Sequence, residues 1–270
     1  MRAEAEDSFL IGKYEVAYGS SIASVLATNA HPQPLEGMLL VADAVYGADD
    51  PRLVRAVAPN PAPAAEAPHL RTALNMSALE RLPATAAEAS AIAQMAAPVM
   101  VDHLDGFAAT REGVLSRPLE RYRYIHFAVH ATTDAEIPQL SALVLSTYDA
   151  HGRPLENRIW AGDLMGRRFN ARTVVLSACD TALGRDVGGE GLFGLRYVVL
   201  ARGAQSVVAS LWAVPDRSTA TLMQTFYKGL LQENLRPELA LTLAMRQMLQ
   251  QGPRDPVFWA PFTATIASLQ

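Results

Sequence analysis

Cysteine is nearly missing from this chain: Cys179 is the only one in 270 residues. An intrachain disulfide is therefore excluded, and so is a structural zinc site built on several thiolates. A reducing cytosol suits such a composition. Long apolar runs are also missing, none reaching the eighteen or so residues of a membrane-spanning helix. The opening stretch, Met1–Asp7, is acidic rather than basic and leads into no apolar core, so it does not read as a signal peptide. The formal net charge of −4 gives no electrostatic reason to expect nucleic acid as the main partner. Lysine is scarce beside arginine, which reads as genome composition. There is no Gly-x-Ser-x-Gly, so the nucleophile elbow of the α/β hydrolases is not present. No internal repeat or linker interrupts the sequence, and residues 1–270 read as one domain.

What is present points to an α/β protein. Half of the residues are hydrophobic and 19% are charged, as in ordinary globular chains. Thr173–Leu176 is a β-branched and apolar run, suited to a strand buried on both faces. A glycine-rich stretch, an apolar helix over 192–201 and a second buried strand over 206–210 follow. That order is a βαβ unit of a parallel sheet, and ligands and chemistry gather at the carboxyl ends of such strands. Cys179 falls at one of these ends.

Around this unit the patterns predict strands over 11–17, 37–42, 99–101, 124–130, 142–146, 157–160 and 262–267. Helices are predicted over 22–27, 53–57, 85–95, 110–115 and 216–232, with a last one opening at Pro237. Thr85 and Glu88 stand at the spacing of a capping box. Residues 46–68 carry Pro51, Pro59, Pro61, Pro63 and Pro68 and read as a long surface loop.

Four constellations can be weighed for chemistry. His130 and Cys179 each end a predicted strand and are forty-nine residues apart, histidine first. A thiol is a nucleophile as its thiolate, which a neighbouring imidazole favours. Caspases carry their histidine about fifty residues ahead of an Ala-Cys pair, and here the pair is Ala178-Cys179. The alternative is a small buried thiol and a core histidine. Gly189-Glu-Gly191-Leu-Phe-Gly194 spells GxGxxG, but it follows its strand too late for a dinucleotide fingerprint, and close packing explains the glycines better. His126 and His130 lie roughly 13 Å apart along a strand, too far for a shared metal, and His126 reads as structural. Ser177 is a weaker nucleophile candidate than Cys179 and reads as a strand-end serine facing a pocket.

Taken together, Arg123-Tyr-Ile-His-Phe-Ala-Val-His130, Leu176-Ser-Ala-Cys-Asp-Thr-Ala-Leu-Gly184, Gly189-Glu-Gly-Leu-Phe-Gly-Leu195, Gly203-Ala-Gln-Ser-Val-Val-Ala-Ser-Leu-Trp212 and Val214-Pro-Asp-Arg-Ser-Thr219 resemble the CHAT domain, a caspase-like family related to caspases and separases. Leu82-Pro-Ala-Thr85 and Trp259-Ala-Pro-Phe262 extend the resemblance over nearly the whole chain. It implies a caspase-like three-layer sandwich: a mostly parallel central sheet with helices on both faces, its N-terminal edge truncated relative to the family.

The resemblance further implies a bacterial, cytoplasmic cysteine endopeptidase with His130 and Cys179 as its dyad. The backbone N–H groups of Ala131 and Cys179 would serve the oxyanion, and Ser177 and Asp180 would line the substrate pocket. Asp134, Glu136 and Asp186 are further acidic residues near it and read mainly as solvated loop carboxylates. Protein or peptide substrates and a repeat-containing regulatory partner are implied, with no metal or organic cofactor, nucleic acid or membrane. The family's histidine is usually followed by glycine, whereas this chain has Ala131. The other reading of the same fold is an interaction or signalling module with little catalysis.

Overall fold

The computed structural model describes residues 9–19, 37–54, 79–134, 137–177, 193–212, 216–252 and 255–267. The strands are β1 (Tyr18–Gly19), β2 (Met38–Ala42), β3 (Val101–Asp105), β4 (Tyr124–Ala128), β5 (His130–Thr132), β6 (Ala142–Val144), β7 (Arg158–Trp160), β8 (Thr173–Leu176), β9 (Ser206–Ser210) and β10 (Phe262–Ile266). The α-helices are α1 (Leu10–Lys13), α2 (Pro83–Ala96), α3 (Arg111–Leu115), α4 (Ala161–Met165), α5 (Phe193–Ala201), α6 (Asp216–Leu231) and α7 (Pro237–Gln251).

Seven strands form one sheet in the order β1-β10-β9-β8-β4-β2-β3. The pairs β2–β3, β2–β4, β4–β8 and β8–β9 are parallel, and β10 runs antiparallel to β9. The middle strands are apolar on both faces because both faces are covered. Alternation along each strand sorts the side chains into two cores. Leu39, Val41, Ile125, Phe127, Val174 and Leu176 pack with Leu164 of α4 and Leu195 and Val199 of α5. Met38, Leu40, Val175 and Val208 pack on the other side with Ile92 of α2, Phe226 of α6 and Ala244 of α7. Each fully buried side chain of this size contributes about 1.5–3 kcal/mol. The result is the three-layer α/β sandwich expected, and the βαβ unit β8–α5–β9 lies at its centre.

Several local expectations need correction. The strand predicted over 11–17 is the short helix α1, which buries Ile11 and presents its carbonyl to Arg246 Nε at 2.6 Å; pairing starts only at Tyr18. Tyr14 and Val16, the apolar residues that suggested a strand, are exposed. The strand predicted over 99–101 begins where that reading ended. β3 runs to Asp105, and Asp102, His103 and Asp105 are tolerated because it is an edge strand.

Thr85 does not cap α2. Pro83 occupies the first turn, and the Thr85 hydroxyl donates to the Leu82 carbonyl at 2.7 Å while accepting the Asp43 N–H at 2.9 Å. The first part of the proline-rich stretch, residues 46–54, is irregular and mostly open to solvent, but Tyr46 and Asp50 in it are buried, and no helix forms at Leu53–Val54. The rest of that stretch and the predicted 22–27 helix lie outside the described residues.

Candidate active site

The strand predicted over 124–130 breaks at Val129. β4 stays in the parallel sheet, whereas His130 opens β5, the edge strand of a second, antiparallel sheet ordered β5-β6-β7. The chain thus leaves the carboxyl end of β4 and turns at once into another layer. β8 is the parallel neighbour of β4, with Phe127 paired to Leu176. His130 lies three residues beyond one member of that pair, and Cys179 three beyond the other. β2 ends beside β4, with Ala42 paired to Ala128.

His130 is 2% exposed, and its ring is held from two sides. Nε2 lies 2.7 Å from the Glu80 carbonyl oxygen. A carbonyl can only accept, so Nε2 carries the hydrogen and the neutral ring keeps its lone pair on Nδ1. The Tyr46 ring packs against the imidazole at 4.7 Å between centroids, tilted by 56°. Burial pushes the His130 pKa below the ordinary imidazole value, and the Glu80 carbonyl opposes that shift.

Tyr46 also sets the backbone. Its hydroxyl accepts the His130 N–H at 3.1 Å and donates to the Val144 carbonyl at 3.2 Å. His130 and Val144 are cross-strand partners, so the phenol oxygen sits as a wedge in the β5–β6 ladder. N–H directions alternate along a strand. With the His130 N–H turned towards β6, that of Ala131 points to the open edge of β5. Burial holds the Tyr46 phenol protonated, its pKa far above that of ordinary tyrosine.

The segment bearing the Glu80 carbonyl is tied to the end of β2. Arg81 makes a forked ion pair with Asp43, Nε to Oδ1 and Nη2 to Oδ2, both at 2.8 Å. Asp43 has φ of 46°, in the left-handed region that aspartate tolerates better than most residues. Arg52 Nη1 reaches Asp43 Oδ2 at 2.8 Å and the Asp43 carbonyl at 2.9 Å, and Arg52 also pairs with Asp50. Tyr46, Glu80, Arg81 and Asp43 were not singled out from sequence. Tyr46 is 84 residues from His130, and Glu80 acts through its backbone, so no local spacing marks either.

Among the sequence candidates, Ser177 directly follows β8 with 6% exposure, and its hydroxyl has no hydrogen-bond partner among the described residues. Ala131 is 1% exposed. The Asp134 carboxylate accepts the Ile137 N–H at 2.8 Å and so serves a turn. Cys179, Asp180, Asp186, Glu136, Gly189 and Gly191 lie outside the described residues. Gly194 packs so close to the Pro138 carbonyl that a Cβ would lie 2.3 Å from its oxygen, in keeping with close packing rather than nucleotide binding.

His126 faces the opposite layer, fully buried between Glu88 of α2 (Nε2 to Oε1, 2.9 Å) and Tyr227 of α6 (Nδ1 to the hydroxyl, 3.1 Å). The Glu88 contact is close but not aligned as a hydrogen bond. That placement is structural, as the sequence suggested. Among the described residues no group of three or more His, Cys, Asp or Glu could hold a metal ion, and no helix is long and apolar enough to cross a membrane.

A mostly parallel seven-stranded sheet between two helical layers, with a buried histidine just beyond the carboxyl end of a central strand, defines a caspase-like α/β protein. The Arg specific cysteine proteinase gingipain R shares this fold, with a TM-score of 0.50 over 87% of this chain and 46% of that one, at 10% identity. The CHAT domain family model matches residues 1–267, and the chain belongs to that family. Tetratricopeptide repeat protein 28 of Mus musculus is 30% identical over 196 residues, and that of Homo sapiens 28% over 194. Each match covers 59% of this chain and 8% of the relative's length.

Proposed function

We propose that the protein is a cysteine endopeptidase in which Cys179 and His130 form the dyad. The observation that carries this reading is the held imidazole. His130 stands at the carboxyl end of the sheet with Nε2 committed to a carbonyl and its lone pair on Nδ1, at the same offset past the Phe127–Leu176 pair as Cys179. Nδ1 takes the thiol proton as sulfur attacks the scissile carbonyl. The C–N bond then breaks, and the same proton goes to the leaving amine. Water, activated by Nδ1, hydrolyses the thioester and restores the thiol.

The N–H groups of Ala131 and Cys179 face the developing oxyanion; losing one such donor costs about 3–4 kcal/mol of barrier. The open-edge direction of the Ala131 N–H supports this role. Ser177, whose buried hydroxyl has no partner among the described residues, and Asp180 line the substrate pocket. The substrates are proteins or peptides, in a regulated cytoplasmic signalling or defence setting of a bacterial kind. The repeat proteins among the relatives support a repeat-containing regulatory partner.

A second reading, a caspase-like interaction module with little catalysis, draws on Ala131, which stands where caspase-type sites usually carry glycine. Incubating the full chain and its Cys179→Ala variant with a diverse peptide library, read by mass spectrometry, separates the two. Cuts made by the parent chain alone support the peptidase. A library left intact by both, with Cys179 slow to alkylate, supports the module.

A further inference from the structure

His130 is oriented by a backbone carbonyl, and a carbonyl stays where its peptide is held. Glu80 has an exposed side chain and lies ahead of α2, outside any regular element. What holds its peptide is the next residue: the Arg81 fork grips both carboxylate oxygens of Asp43. Five residues after Glu80, Thr85 accepts the Asp43 N–H. The stretch from Glu80 to Thr85 is thereby pinned on both sides to one residue, and that residue directly follows the fully buried strand β2. Asp43 is itself fixed, since Arg52 clamps its carboxylate and its carbonyl together. The Arg81 side chain is 38% exposed, and ion pairs so open to water add little to stability. Its value here is geometric: a planar guanidinium gripping a carboxylate with two parallel bonds fixes direction as well as distance.

We propose that Asp43 and Arg81 are positioning residues for His130: their forked pair holds the Glu80 carbonyl on Nε2 and so keeps the imidazole lone pair on Nδ1, facing the nucleophile. This deepens the peptidase reading and rests on it. Neither residue touches substrate.

The test uses the full chain labelled with 15N-histidine, with His130→Gln to assign the ring signals. Ring nitrogen shifts are compared for the parent, Arg81→Ala, Arg81→Lys and Asp43→Asn, alongside kcat and KM on a peptide that the parent cleaves. Asparagine tolerates the left-handed backbone at position 43, so Asp43→Asn removes charge without new strain. The parent shows an Nε2-protonated ring. Arg81→Ala and Asp43→Asn show mixed tautomers, with kcat down roughly ten- to a hundredfold and KM nearly unchanged, the scale of a misplacement of about 1 Å. Arg81→Lys falls between, because lysine supplies charge without the fork.

A purely structural pair would alter melting and leave the ring of the folded fraction untouched. Parent-like shifts in folded Asp43→Asn and in whichever Arg81 variants fold overturn the proposal. If the parent cleaves nothing while the shifts still respond, the peptidase reading fails and the positioning stands. If the parent cleaves and the shifts do not respond, the reverse holds.

Discussion

Replacing Tyr46 by phenylalanine removes one oxygen and keeps the ring that packs on His130. That oxygen makes two bonds, accepting the His130 N–H at 3.1 Å and donating to the Val144 carbonyl at 3.2 Å. Both residues are almost completely buried, at 2% and 1% exposure, so water does not readily replace the hydroxyl. Each stranded backbone group costs about 1–3 kcal/mol. The variant recovers a comparable amount once, because it no longer buries a phenol hydroxyl. The net loss is therefore about 1–3 kcal/mol, or a fall in Tm of roughly 2–5 °C for a chain of this size.

Urea unfolding gives the energy, provided the m-value is unchanged. Amide hydrogen exchange gives the location, with faster exchange at the His130 N–H expected in particular. A loss under about 0.5 kcal/mol, below the cost of even one stranded group, with the His130 amide equally protected, would refute the wedge. It would mean that the strands close directly on one another when the oxygen is taken away.

Three further outcomes follow from the geometry. Gly203→Ala places a Cβ 2.1 Å from the Phe169 carbonyl oxygen at a φ of +110°; strain and overpacking together cost roughly 2–5 kcal/mol by urea unfolding. Because burial lowers the His130 pKa, the unfolded chain binds more protons than the folded one just below the ordinary value of 6.5. Stability therefore falls as pH drops from 6.5 towards the folded pKa, and His130→Gln flattens that part of the urea midpoint–pH curve. Glu88→Ala takes away the carboxylate beside the His126 Nε2 in the core between α2 and α6 and costs about 1–3 kcal/mol, whereas replacing both residues by apolar ones of similar volume costs less than the two single changes added.

The middle of the fold was readable because its signals are local. Runs such as Met38–Ala42 and Thr173–Leu176 have one stable home, a parallel strand covered on both faces. Pro237 opens α7 as the sequence suggested. What escaped was set by tertiary contacts. The break at Val129 leaves no trace in the apolar run 124–130, because both sheets bury their strands and the pattern is the same on either side of the turn. Tyr46 was read as the start of a surface loop because the prolines after it dominate the composition, while its partners lie far along the chain. Of the candidate site, His130 could be named from its residues and spacing, and its neighbour Ala131 from the family resemblance. The cradle of Tyr46, Glu80, Arg81 and Asp43 could not, since it depends on a backbone carbonyl and on an ion pair between residues 38 apart.

The central claim is that His130 activates Cys179. Because Cys179 is the only thiol in the chain, the rate at which a small alkylating reagent modifies the native protein near neutral pH reports on that residue alone. The measurement is made on the parent and on His130→Gln, side by side. The account predicts a parent thiol that reacts well above the rate of a free cysteine peptide, and a variant that loses most of that advantage while remaining folded. A parent thiol no faster than the peptide, or a fast thiol indifferent to the loss of His130, would contradict it.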